Sequence, residues 1–470
     1  MPLTMTNALL FDLDPPRIVK GGLRLDGGVI TAAGPRVRPQ AGDSIADCGG
    51  AVVVPGLVNG HAHLYSALAA GMPMPRKTPR DFPEILKYIW WRLDRALDGE
   101  SIELSGAVGA LDALRCGTTT LIDHHASPNC IAGSLDMLER GIDAVGLRAV
   151  LCYEVTDRNG RAGAAAGLEE NRRYIEKSQK VKKSKRRNAG SAKARNCGRH
   201  FAGMVGAHAA FTLSDASLRA CVELAAELDA GLHIHVAEDP ADDRVCREKY
   251  GAALLKRLHK CGLLDKATGV AARSILAHGT HLLPRDAGRV SAQVAAIAHN
   301  PRSNMNNRVG YTPVAWMTNV LLGTDGIGSD MFTEAKHAWF KGCDAAAGAE
   351  LPARRPRQKP VAIHTPARVL AMLAHSARVA GDMLGCTLGR LTPGAAADIV
   401  ITDYVPATPL DDANAAAHLI FAIGPQHVRH VIVSGRWLLR DRTPLLLDEG
   451  ETRRRAAPAA RALWRRMQTL

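Results

Sequence analysis

The chain has 470 residues, 46% of them hydrophobic, a formal net charge of +14, and ten cysteines without any Cys-x-x-Cys pair. That length exceeds one small domain and suits a barrel of about 250 residues with a second module. No run of about 18 apolar residues occurs and Met1–Asn7 carries no basic-then-apolar leader, so no membrane-spanning helix is expected, and a soluble, cytoplasmic protein with reduced thiols is the expectation.

Residues 1–54 alternate short β-like runs (Ala8–Phe11, Ile18–Val19, Gly28–Thr31, Ala51–Val54) with Gly and Pro turns. Residues 386–470 do the same, with Asp398–Thr402 and His430–Leu439, and then close on a helix. Such ends are too short to fold alone and can share one small β-sandwich. Between them, in residues 55–385, apolar residues recur at helical spacing in Leu104–Leu114, Ile131–Ile142, Ala216–Leu228 and Ala252–Leu264, whereas Ala149–Tyr153 and Val294–Ala298 read as buried strands. This alternation predicts an α/β fold with a parallel sheet closed as a barrel.

Four apolar segments end in groups that bind metals or carry protons. The first, Ala51–Val58, runs into His61 and His63, whose side chains two residues apart on a strand point the same way. The second, Gly231–Val236, contains His233 and His235 and is followed by Glu238. The third, Ser274–Ala277, leads into His278 and His281, and the fourth, Val320–Leu322, leads into Asp325. If these are neighbouring parallel strands, their C-terminal ends converge where barrel enzymes do chemistry. Periodicity alone leaves His233 open beside His235, and His281 beside His278.

One stretch departs from the pattern. Lys177–His200 holds ten Lys or Arg and no acid, and without it the net charge falls from +14 to +4. It reads as a solvated basic insertion rather than a nucleic-acid tether. Residues 354–360, Arg-Arg-Pro-Arg-Gln-Lys-Pro, are a second unusual run.

The motifs together resemble the amidohydrolase superfamily, in its mononuclear aminohydrolase and deaminase branch with the guanine-deaminase and chlorohydrolase relatives. Pro55–His63 is similar to the family's first barrel strand, Thr118–Asp123 to the second, Ala298–Asn304 to the seventh and Gly323–Gly326 to the eighth. Leu391–Ile401 is similar to its return strand near the C-terminus. Trp90–Asp94, Gly206–Asp215 and Gly326–Phe332 look most like the SsnA type of aminohydrolase.

The resemblance implies a (β/α)8 TIM-like barrel with a small β-sandwich built from both chain ends. It further implies that His61, His63, His235 and Asp325 hold one divalent metal, zinc by the chemistry of the donors, with iron as the alternative. His235 rather than His233 is then the ligand, because only it has Glu238 three residues on, and His278 rather than His281 is the functional histidine. The metal-bound hydroxide attacks the C–N bond, Asp325 accepts the water's proton, Glu238 carries a proton to the substrate, and His278 stabilises the developing charge. Dinuclear relatives carry a lysine at the end of the fourth strand; Met204–Phe211 has none, which favours one metal and frees His208 to bind substrate. His125, in preference to His124, is the other substrate contact expected, and Tyr65 either lines the pocket or packs. The expected reaction is hydrolytic deamination of a small purine- or pterin-like heterocycle. Opening of a cyclic amide or imidazolone is the alternative chemistry, and an inactive scaffold using the basic run is the alternative class. A homodimer is compatible with the family; a nucleic-acid partner is not expected.

Overall fold

The computed structural model describes residues 1–188, 197–348 and 364–470. The expected run 354–360 lies outside the described residues.

Eight parallel strands form the barrel: Leu57–Ala62, Thr118–His125, Arg148–Val155, Val205–Ala209, Leu232–Val236, Ile275–His278, Ala296–His299 and Val320–Leu322. They are bonded in chain order, first to eighth. The last meets the first through an isolated parallel bridge between Ala62 and Asp325, where the Thr324 and Asp325 amides both donate to the His61 carbonyl at 2.9 Å. Every residue of these eight strands is buried, as expected for strands covered on both faces.

The helices follow from their caps and their small residues. Gly99–Arg115 starts on a reciprocal box in which Asp98 accepts from the Ser101 amide and Ser101 Oγ accepts from the Asp98 amide, both at 2.9 Å. It crosses Ser134–Val145 so closely that a Cβ on Gly141 would lie 2.2 Å from the Glu103 carbonyl, which makes glycine obligatory there.

Strands from the two chain ends share a single nine-stranded sheet, in which Val52–Pro55 pairs with Ile399–Thr402. Leu10, Leu23 and Val53 from one end pack with Ile399 and Ile432 from the other around a common core. The closing helix, Glu449–Thr469, returns to the barrel, where Trp464 Nε1 donates to the Leu68 carbonyl at 2.9 Å.

The basic run needs correction as a separate insertion. It begins inside the helix Gly160–Asn188, where Lys177 is tied to Asp136 at 2.7 Å and Glu139 at 3.0 Å on the preceding helix. At its other end the Arg199 amide donates to the Leu384 carbonyl at 2.9 Å. Both ends of the run are therefore tied to the fold, the first by ion pairs of Lys177 with acids on another helix and the last by the Arg199 backbone hydrogen bond. Residues 189–196 lie outside the described ones.

Candidate active site

The C-terminal ends of the first, fifth and eighth strands bring His61, His63, His235 and Asp325 together, with their donor atoms all within 4.8 Å of one another. Asp325 Oδ1 lies 3.0 Å from His63 Nε2 and 3.6 Å from His61 Nε2. Asp325 (φ 56°) and His278 (φ 72°) both occupy the left-handed region at their strand ends, a strain of the kind that concentrates at functional sites.

The outer ring nitrogens decide what the inner ones can do. His63 Nδ1 donates to the His124 carbonyl (2.6 Å) and His235 Nδ1 to the His208 carbonyl (2.8 Å). Carbonyls only accept, so each ring carries a proton on Nδ1 and, in the neutral form that a metal ligand must take, presents a lone pair on Nε2. Without a cation, although burial opposes the charge, the Asp325 carboxylate beside it draws a second proton to His63, pushing that ring up to about 9. In the neutral rings those lone pairs face each other at 3.2 Å. His61 Nδ1 shares a hydrogen bond with His233 Nε2 at 2.9 Å, and His61 Nε2 is buried without a partner. Converging, desolvated lone pairs beside a carboxylate are costly unless a cation satisfies them. The donor set therefore fits a divalent metal of the zinc type. His233, fully buried, lies one layer deeper and orients His61.

Glu238 and His278 stand next to this cluster, with His278 Nε2 3.6 Å from Glu238 Oε2 and 3.9 Å from Asp325 Oδ2. Burial, reinforced by the Asp325 charge, pushes the Glu238 carboxyl well up, which favours its protonated form. Burial pushes His278 down, leaving a neutral ring whose Nδ1 faces Asn304 Oδ1 at 2.9 Å. Burial would raise Asp325, but the histidines beside it hold it well below the usual carboxylate range. Its Oδ2 also accepts from Ser303 Oγ at 2.5 Å. His281 turns away and donates from Nε2 to the Val309 carbonyl at 2.8 Å.

A cleft of about 490 Å³ opens over these groups, lined by His63, His208, His235, Glu238 and Asp325 and walled by Phe82, Leu86, Trp90 and Trp91. Tyr65 lines it as well, with its ring 5.4 Å from that of His63. His125 is not among the lining residues. Successive residues of a strand face opposite ways, and it is His124 that turns toward Ala207 and His233 inside the barrel, whereas His125 packs between Tyr65 and Tyr153 with Nε2 2.9 Å from Ser127 Oγ. The expected substrate contact at His125 is thus corrected.

Glu154 was missed. It stands at the end of the third strand, in the cleft, and only 4% exposed. The same rule that picked out the other strand ends applies to it, but the predicted strand stopped at Tyr153, one residue short. Asp94 and Asn307 also line the cleft from loops and helices that carry no strand periodicity.

A sequence profile of the amidohydrolase family matches residues 52–438. The chain is 29% identical over 481 residues to a 5'-deoxyadenosine deaminase of Methanosarcina mazei, covering 99% of each. It is 30% identical over 459 residues to a 5-methylthioadenosine/S-adenosylhomocysteine deaminase of Desulforudis audaxviator, covering 94% of this chain and 95% of that one. Its fold is similar to that of an adenosine deaminase from Xanthomonas campestris solved with bound zinc, with TM-score 0.77, 22% identity, and coverage of 100% of this chain and 99% of that one. The barrel, the converging histidines and aspartate, and these likenesses place the chain in the amidohydrolase family.

Proposed function

We propose that this protein hydrolytically deaminates an aminated purine-like heterocycle, using one divalent metal, zinc before iron, held by His61, His63, His235 and Asp325. The observation that carries the reading is the convergence of His61, His63, His235 and Asp325 on one point, with the His63 and His235 Nε2 atoms opposed at 3.2 Å and Glu238 beside Asp325. When bound, such an ion acidifies a water toward neutrality and makes it a nucleophile.

The chain's own groups supply the remaining steps. Asp325, ionised and close to His278, takes the proton that the nucleophile releases. Glu238 delivers its proton to a ring nitrogen, so that the carbon under attack does not force negative charge onto the ring. Asp325 then passes the proton it took to the amino group, the C–N bond breaks to release ammonia, and Glu238 recovers a proton from the new hydroxyl as the carbonyl forms. His278, neutral and anchored toward Asn304, keeps a fixed dipole on the attacking oxygen. His208, with Nδ1 2.8 Å from Thr212 Oγ1, presents Nε2 to the cleft, and the aromatic walls admit a flat ring. The relatives named above support the choice of an aminopurine.

No helix among the described residues is long and apolar enough to cross a membrane, in keeping with an enzyme acting on a small solute in the cytoplasm. The test is ammonia release by zinc-loaded protein from adenine, adenosine, 5'-deoxyadenosine, guanine and pterin. Release from at least one supports the reading; none from any, with metal in place, overturns it.

A further inference from the structure

The wall of the cleft away from the four convergent ligands includes Glu154, to which the scheme above gives no task. Its surroundings can be worked out proton by proton. His124 Nε2 meets two backbone carbonyls, Ala207 at 3.1 Å and His233 at 3.2 Å, so it carries the ring proton. His124 Nδ1, buried and without a hydrogen-bond partner, lies 3.4 Å from Glu154 Oε2 and is a lone pair while the ring is neutral. His208 behaves alike: Nδ1 donates to Thr212 Oγ1, whose own proton goes to the Ala209 carbonyl at 2.9 Å, leaving the Nε2 lone pair 4.0 Å from Glu154 Oε1. With both rings neutral, two imidazoles aim acceptors at an acceptor.

The charges do not balance either. Arg158 reaches Asp94 at 2.8 Å and Glu154 at 3.2 Å, one guanidinium for two carboxylates. Asp94 Oδ1 is buried without a partner. Such a group costs free energy unless something brings donors to it. Its position says how close that something must be to the chemistry, because Glu154 and the ligand His235 offer donor atoms within 4.8 Å of each other. A group bound there belongs to the reacting ring system, whereas a sugar hung on the far side of a purine would lie beyond it.

We propose that Glu154, with His208 beside it, is a specificity-determining acceptor for a ring edge bearing N–H donors other than the leaving amino group, such as an additional ring amino group. A carboxylate oxygen accepts an in-plane N–H of such an amino group, Oε1 also facing Arg158, and Trp90 and Trp91 line the same cleft with flat faces. This inference rests on the proposed deamination, which supplies the orientation of the ring.

The test separates the two claims. Fluorescence titration compares 2-aminopurine with calorimetric binding of purine, neither of which carries a 6-amino leaving group. The wild type should bind 2-aminopurine about 10–100-fold more tightly, the range for a hydrogen bond to a charged group. Glu154→Gln and the shortened Glu154→Asp should both lose that preference while keeping the metal content of the wild type. In turnover, 2,6-diaminopurine should be preferred over adenine, and the variants should lose the preference through KM rather than kcat. Equal binding of the two probes by the wild type, an unchanged preference in both variants, or loss of metal from them overturns the assignment. So does a variant whose loss falls on adenosine relative to adenine, since the donors would then be sugar hydroxyls. If no substrate releases ammonia, the proposed function fails, while the binding preference still judges Glu154.

Discussion

Replacing Asp398 with alanine should unfasten the barrel from the end-strand sheet. Arg148 heads the third barrel strand and is fully buried. Its Nε donates to Asp398 Oδ2 at 2.7 Å and its Nη2 to Asp398 Oδ1 at 3.3 Å, while Nη2 also reaches Ser434 Oγ at 2.6 Å and Nη1 the Arg199 carbonyl at 2.9 Å. Asp398 Oδ1 accepts from the Ser434 amide as well, at 2.8 Å. Removing one partner of a buried pair costs about 3–5 kcal/mol, because the other charge is left desolvated. Arg148 keeps two of its four hydrogen bonds in Asp398→Ala, which puts the cost near the lower bound, about 3 kcal/mol. In a chain of this size, with an unfolding entropy of roughly 1 kcal/mol/K, that corresponds to a fall in Tm of roughly 3 °C. Calorimetric melting should show it, and the double variant Arg148→Met with Asp398→Leu should recover most of the loss, since well-packed apolar replacements of buried pairs are often neutral. An Asp398→Ala protein that melts with the wild type, or a double variant as unstable as the single, would refute the reasoning.

Glu238→Gln removes the proposed proton carrier without touching the four proposed ligands; turnover should fall by about 10²–10⁴-fold while elemental analysis still finds the metal, and loss of the metal would make Glu238 a ligand instead. A pH effect follows from Asp242, whose carboxyl burial pushes up to about 7 although it accepts from the Ala237 amide at 2.8 Å. An unfolded Asp titrates near about 3.9, so between these values the folded chain holds a proton that the unfolded one has lost, and stability falls as pH rises through that window. Asp242→Asn keeps the acceptor and removes the titration, so urea midpoints from pH 4 to 7 should vary less than in the wild type; an unchanged slope would contradict the shift.

Much of the barrel was legible because its strands are apolar on both faces and stop at polar groups. The two-residue spacing of His61 and His63, and of His233 and His235, placed each pair on one side of a strand, and the structure separates His235 at the cluster from His233 one layer below. What stayed hidden depended on register or on distant partners. Adjacent histidines at 124 and 125 cannot be assigned to inside and outside without knowing which residue of the strand faces in. Glu154 needed the strand to be extended by a single residue. The basic run could not be read from charge alone, since Lys177 is neutralised by Asp136 and Glu139 on another helix. The Arg148–Asp398 tie spans 250 residues and leaves no local trace.

The account stands most directly on metal content and ammonia release measured on the same samples of wild type and His61→Ala. Elemental analysis of the wild type should find about one divalent ion per chain, and stripping that ion with a chelator should abolish ammonia release until zinc is restored. His61→Ala should be folded by circular dichroism, hold little metal and release no ammonia. Full metal occupancy in His61→Ala, or undiminished ammonia release from the stripped wild type, would contradict the four-ligand centre on which the proposed chemistry depends.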